Sequence, residues 1–251
     1  LLFFGLAKEW QATVSPEVSF FDPKWAQHYA EYNVEQANNL LDEMGLKWDD
    51  QGRYRLRADG SRLITELIYN QQDYPLQLIE LVAQDWSAVG METILRETDD
   101  QFRRQKCMAA EHDCTCWNAD VIEEIAIYMP WSTKWNPNRA LYYAIDWWYW
   151  FYSAGRIGIE PPDIWKDQFD RMVQWYFAKT QEAYEQLGYQ VWDFFNKQLV
   201  CIGSVGYSPL PVVVKNGLMN VQEKRKMGYG LGWAKTFFPQ MYYWDQPEKH
   251  L

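Results

Sequence analysis

Between residues 63 and 117 the chain carries strand, helix, strand, helix and strand signals in unbroken succession. Leu63 to Tyr69 is a short apolar run behind the turn signal Ala58-Asp59-Gly60 and reads as a strand. Pro75 opens a helix whose inner stripe is Leu78, Val82, Trp86 and Val89, and Gly90 ends it. Met91 to Arg96 reads as a second strand, Asp99 to Ala110 as a polar helix, and Cys114 to Trp117 as a buried strand. Parallel strands need crossover connections, and helices of this length supply them. The alternation therefore predicts an α/β unit built on a largely parallel sheet.

The flanking segments are read the same way. Residues 1 to 33 hold Pro16, Pro23 and many aromatics, and are expected as an extended segment draped over a core. Asn33 is an N-cap for a short amphipathic helix in which Ala37, Leu40, Leu41 and Met44 share a face, with Gly45 at its end. Asp49 to Gly52 is a turn, Arg53 to Arg57 a short strand, and a hairpin with Leu63 to Tyr69 is predicted. Beyond a loop over residues 118–137, helices are expected from Arg139 to Ala154, from Pro161 to about Phe177 and from about Thr180 to Leu199. Val212 to Lys215 reads as a strand. The rest of the tail is irregular up to Met241 to Trp244.

Composition narrows the function. Lys and Arg number 24 against 34 Asp and Glu, a net charge of −10, which argues against nucleic acid as a partner. No apolar run reaches the length of a membrane span. The opening Leu-Leu-Phe-Phe-Gly lacks Met, a basic segment and a cleavage site, and suggests a piece of a longer protein. Four cysteines (Cys107, Cys114, Cys116 and Cys201) do not make a disulfide framework. Cys114 and Cys116 with His112 suggest zinc, but no second pair follows, and small buried thiols on a strand explain them better. No metal and no cofactor is expected.

Catalytic patterns are weak. No GxSxG elbow is present, and Gly228, Gly230 and Gly232 lack the Lys-Ser/Thr of a phosphate loop. Glu123 and Glu124 could serve a hydrolase, but adjacent carboxylates diverge in direction. The aromatics say more: 15 Trp, 17 Tyr and 12 Phe make 18% of the chain. Trp147 and Trp148 point about 100° apart on a helix, so one should be less buried than the other. Most of the aromatics are expected to pack in a core. Trp117 and Trp131 flank a polar loop and offer flat faces to a sugar ring or a peptide side chain.

Several segments, in order, resemble the bacterial extracellular solute-binding proteins of family 5, the dipeptide and oligopeptide-binding type. They are NVEQANNLLDEMGL (33–46), DDQGRYRLRADGSRL (49–63), LVAQDWSAVGMETILRETDDQFRRQ (81–105) and AAEHDCTCW (109–117). WYWFYSAGRIGIEPP (148–162) and PLPVVVKNGLMNV (209–221) resemble late motifs of the longer branch that binds sugars or peptides. The resemblance implies the C-terminal lobe of a type II periplasmic binding protein, a mixed sheet flanked by helices. It implies a ligand-binding lobe over residues 1–220 and a tail, 221–251, that crosses back toward a first lobe. It also implies a non-catalytic role: two lobes close over a peptide or oligosaccharide and deliver it to the membrane permease of an ABC importer. The setting would be periplasmic, or the cell surface as a lipoprotein.

In the family's peptide binders an Asp after the W..D loop meets the ligand's amino group. The matching stretch is Trp117-Asn118-Ala119-Asp120, which makes Asp120 the candidate, with Trp117, Asn118, Trp131 and Trp135 around it. The Asp-Pro that usually follows is replaced by Val121-Ile122-Glu123, so peptide and oligosaccharide both stay open. The rival readings are a carbohydrate-active enzyme fragment and a carbohydrate-binding module. The helical half of the chain argues against the second.

Overall fold

The computed structural model describes residues 4–70, 76–116, 143–206, 212–223 and 239–249. At its centre is a three-stranded parallel sheet of β4 (Ile64–Tyr69), β5 (Glu92–Glu97) and β6 (Cys114–Thr115) in the order β5-β4-β6. Ile64 lies opposite Glu92 and Tyr69 opposite Glu97, while Leu67 and Ile68 pair with Cys114 and Thr115. The crossovers are α3 (Leu76–Ala88) and α4 (Asp100–Met108), as the alternation requires.

Strand periodicity sorts the two faces. Leu67, Tyr69, Leu95, Cys114 and Cys116 cluster with Ile79 and Leu76 of α3. Ile68 lies between Leu67 and Tyr69 in sequence, so it faces the other way, and it is fully buried. On that side Cys107 of α4, also fully buried, sits against Thr115. In α3 the deepest position is Ile79, with Leu78, Val82 and Trp86 half-buried beside it.

The predicted hairpin forms with a different partner. β3 (Arg55–Leu56) pairs antiparallel with β2 (Lys47–Trp48), not with β4, and meets the residues just before β4 at an isolated bridge between Leu56 and Arg62. The Asp49 to Gly52 turn closes this β2–β3 hairpin, where the Asp49 carboxylate accepts from the backbone N–H groups of Arg53 and Tyr54. α2 (Val34–Glu43) starts where Asn33 caps it, 2.9 Å from the Gln36 N–H. Its apolar stripe is largely open: Met44 is 72% exposed and the helix has no buried residue.

Instead α2 is held from below by Arg55. The Arg55 side chain is wholly buried. Its guanidinium donates to Asp42, to the Leu46 carbonyl, and to the carbonyl and side-chain oxygens of Asn38, while Nε donates to the Val89 carbonyl. Trp48 stacks on it with its ring centre 4.5 Å away. Gly90, at φ +86°, makes room, since a Cβ there would stand 2.7 Å from Arg55 Cγ and from the Trp48 ring. One cation thus ties a helix, a hairpin and the α3–β5 junction together.

A second core is helical and aromatic. α5 (Ile145–Tyr152), α6 (Asp163–Tyr176) and α7 (Gln181–Lys197) correspond to the three helices expected after the loop. α5 begins later than the predicted Arg139, because Tyr143 and Ala144 form a turn and Ala144 takes a left-handed φ of 44°; residues 139–142 lie outside the described residues. Trp25, Trp165, Trp175 and Trp192 are buried here with Phe169 and Phe195. Trp148 is buried and Trp147 only half-buried, in keeping with their divergent directions.

The N-terminal segment is draped over this core as expected. Val14, Val18, Phe20 and Trp25 are buried in it, and a short helix, α1 (Pro23–Gln27), lies along the way. Gly188 in α7 leaves space for Phe20, whose ring would be 2.6 Å from any Cβ at that position. β1 (Lys8–Glu9) then pairs antiparallel with β7 (Val205–Gly206).

Val212 to Lys215 is not a strand. Val213 is 96% exposed, and the chain turns at Lys215 to Gly217 to form β8 (Leu218–Met219), which pairs antiparallel with β9 (Tyr243–Trp244). No helix among the described residues is long and apolar enough to cross a membrane.

Candidate functional site

All three strands of the sheet run the same way, so one edge collects their carboxyl ends: Tyr69, Glu97 and Thr115. The path β4–α3–β5 moves to one side of β4. The path β5–α4–β6 returns past β4 to its other side. The chain direction therefore switches between β4 and β6. In open α/β sheets ligands bind at such a point, outside the carboxyl ends of the strands.

The described side chains at this edge are Tyr69, Asn70, Thr98, Asp99 and Cys116. Asp99 caps α4 through a 2.9 Å hydrogen bond from the Phe102 N–H. Asp100 receives hydrogen bonds from Arg103 and Arg104. Partial burial works against its charge, but hydrogen bonds from Arg104 and Arg103 outweigh that and hold its carboxyl below the usual range. Arg103 itself is almost wholly buried. The turn before β6 is fixed to the sheet where the Asp113 carboxylate accepts from the Glu66 N–H at 2.9 Å.

The cysteines are part of the packing. Burial pushes both strand thiols up, Cys116 to about 11 with Cys114 beside it adding to the effect. A thiol that resists ionisation is a poor nucleophile and a poor metal ligand. Among the described residues no group of three or more His, Cys, Asp or Glu side chains is placed to hold a metal ion.

His112 precedes β6, and burial keeps its ring below its ordinary value of 6.5, Arg103 acting the same way and Asp113 against it. The unfolded chain therefore takes a proton at His112 more readily than the folded one. The stability tied to this group is present above pH 6.5 and declines as the pH falls below it. Thermal melts between pH 7.5 and pH 5.5 should show the midpoint falling on acidification, and His112→Gln should flatten that dependence. An unchanged slope in the variant would remove His112 from the account.

The sequence-derived site residues Trp117, Asn118, Asp120, Trp131 and Trp135 lie outside the described residues, as do Glu123, Glu124 and the glycines at 228, 230 and 232. What the fold does supply is their point of departure. Trp117 is bonded to Cys116, directly after β6, and β6 lies beside β4.

A groove of about 310 Å³ lies at the opposite edge, lined by Arg53, Tyr54, Ser87, Met91, Glu92 and Thr93. Sequence reasoning did not find it, because its walls come from a hairpin, a helix end and a strand start. Its charges are engaged locally: Arg62 stacks on Tyr54 at 4.3 Å and approaches Glu92 at 3.4 Å. It stands at the amino ends of β4 and β5, away from the switch point.

The family model described as bacterial extracellular solute-binding proteins, family 5 middle, matches residues 1–151. Among solved structures, an oligopeptide-binding protein OppA superposes with a TM-score of 0.79 at 28% identity, over 98% of this chain and 41% of that one. The periplasmic binding protein MelB of Agrobacterium fabrum, in complex with stachyose, gives 0.64 at 16% identity over 80% of this chain and 29% of that one. A mannohexaose-bound periplasmic oligopeptide-binding protein of Thermotoga maritima gives 0.55 at 15% identity, over 79% and 36%. The chain thus spans less than half the length of each of these proteins. No curated protein matches it. The fold is that of the α/β lobes of these binding proteins.

Proposed function

The chain belongs to the bacterial extracellular solute-binding proteins of family 5, and on that premise we propose that it is the C-terminal ligand-binding lobe of an ABC importer's solute-binding component. The ligand is a peptide or an oligosaccharide. It lies against the carboxyl edge of the sheet, at the switch point between β4 and β6. Trp117, Trp131 and Trp135 offer aromatic faces, and Asn118 and Asp120 offer hydrogen bonds. A carboxylate accepts from a peptide ammonium and from sugar hydroxyls alike, so Asp120 suits either ligand.

One observation carries this reading. Residues 117–120 follow without interruption from the strand that borders the switch point. Among the similar structures one is called an oligopeptide-binding protein and two hold stachyose or mannohexaose, while others are named for nickel transport, so the choice of peptide or oligosaccharide rests on the aromatic and hydrogen-bonding residue types of this segment. No acid–base pair or nucleophile is needed, and the role is capture followed by hinge closure. A first lobe, continuous with this chain in the whole protein, supplies the facing wall, and a membrane permease receives the ligand. The lobe covers residues 1–220 and the tail 221–251 returns toward the first lobe. β8 precedes that boundary and β9 follows it, so their antiparallel pairing joins the two parts. The protein works outside the cytoplasmic membrane, in the periplasm or held to the surface as a lipoprotein.

A comparison of the isolated lobe with the full-length protein tests the two-lobe reading. Calorimetric titration with an oligopeptide mixture and with oligosaccharides should give clear binding to the full-length protein. The lobe alone presents one wall and should show little or no heat. Equal affinity in the two would overturn the reading, because a single lobe would then suffice.

A further inference from the structure

We draw no further inference here: the strongest candidate, the exposed apolar side chains of Tyr152, Ile157, Ile159 and Ile164 on the hydrogen-bonded loop between α5 and α6 and on the helix ends that flank it, carries nothing because nothing in the structure shows what covers it.

Discussion

Arg55→Ala should lower the unfolding free energy by about 3–5 kcal/mol in urea denaturation, whereas Asp42→Asn should cost less than about 1 kcal/mol. The contrast follows from where the charges sit. The Arg55 side chain is wholly buried, while the Asp42 side chain is 60% exposed and keeps much of its hydration. Removing the guanidinium leaves the carbonyls of Asn38, Leu46 and Val89 without the donor they share, and leaves Trp48 facing a cavity. Removing the Asp42 charge leaves every other acceptor in place. If both variants cost the same small amount, Arg55 is not what holds α2 to the hairpin. Arg55→Lys should fall nearer to alanine than to wild type, since an ammonium cannot span the same set of acceptors.

The second large effect is expected in the aromatic core. Trp165 has Phe194 at 4.9 Å, Trp147 at 5.4 Å, Tyr143 at 5.5 Å and Phe195 at 6.1 Å between ring centres. It is 4% exposed and joins α5, α6 and α7 in one cluster. Trp165→Ala should cost about 3–5 kcal/mol, the range for a large aromatic removed from a core that collapses only partly. Trp165→Phe should recover much of that. Near-ultraviolet circular dichroism would report the loss of aromatic packing alongside the denaturation midpoint. A cost below about 1 kcal/mol would mean that the cluster is not the mainstay of the helical half.

The order of elements from Leu63 to Thr115 was readable because each carries its own local signal. A β-branched run, a Pro-started amphipathic helix and a glycine stop act through neighbouring residues alone. Asn33 and Thr180 were legible as helix starts for the same reason, and both side chains accept a cap hydrogen bond in the structure. The partner of β3 was not, since turn signals stand on both sides of it and each turn holds an aspartate that accepts hydrogen bonds, Asp49 from Arg53 and Tyr54 and Asp59 from Ser61. Arg55 was equally hidden. It lies between Arg53 and Arg57 in a strand, and nothing local distinguishes a caged guanidinium from a solvated one. Val212 to Val214 shows the opposite error, because a β-branched run forms a strand only where another strand meets it.

The candidate site is half legible. Sequence supplies the residue types, Trp117, Asn118 and Asp120, and the fold supplies the place from which they depart. The switch point itself cannot be read from periodicity, since it depends on the side of β4 to which each crossover returns. The high aromatic content also divides in a way composition cannot show. Trp25, Trp165, Trp175 and Trp192 belong to the helical core and are not available to a ligand.

The most direct test of the carboxyl-edge site is calorimetric titration of the full-length protein with its best oligopeptide or oligosaccharide, comparing two pairs of variants. Trp117→Ala and Asp120→Ala remove groups from the segment that leaves β6. Arg53→Ala and Glu92→Gln alter the groove at the amino edge. The first pair should weaken binding at least about tenfold each, equivalent to about 1.4 kcal/mol, and the second pair should leave it unchanged. Unaltered affinity in Trp117→Ala and Asp120→Ala, with loss in Arg53→Ala or Glu92→Gln, would move the ligand to the opposite edge and contradict the assignment.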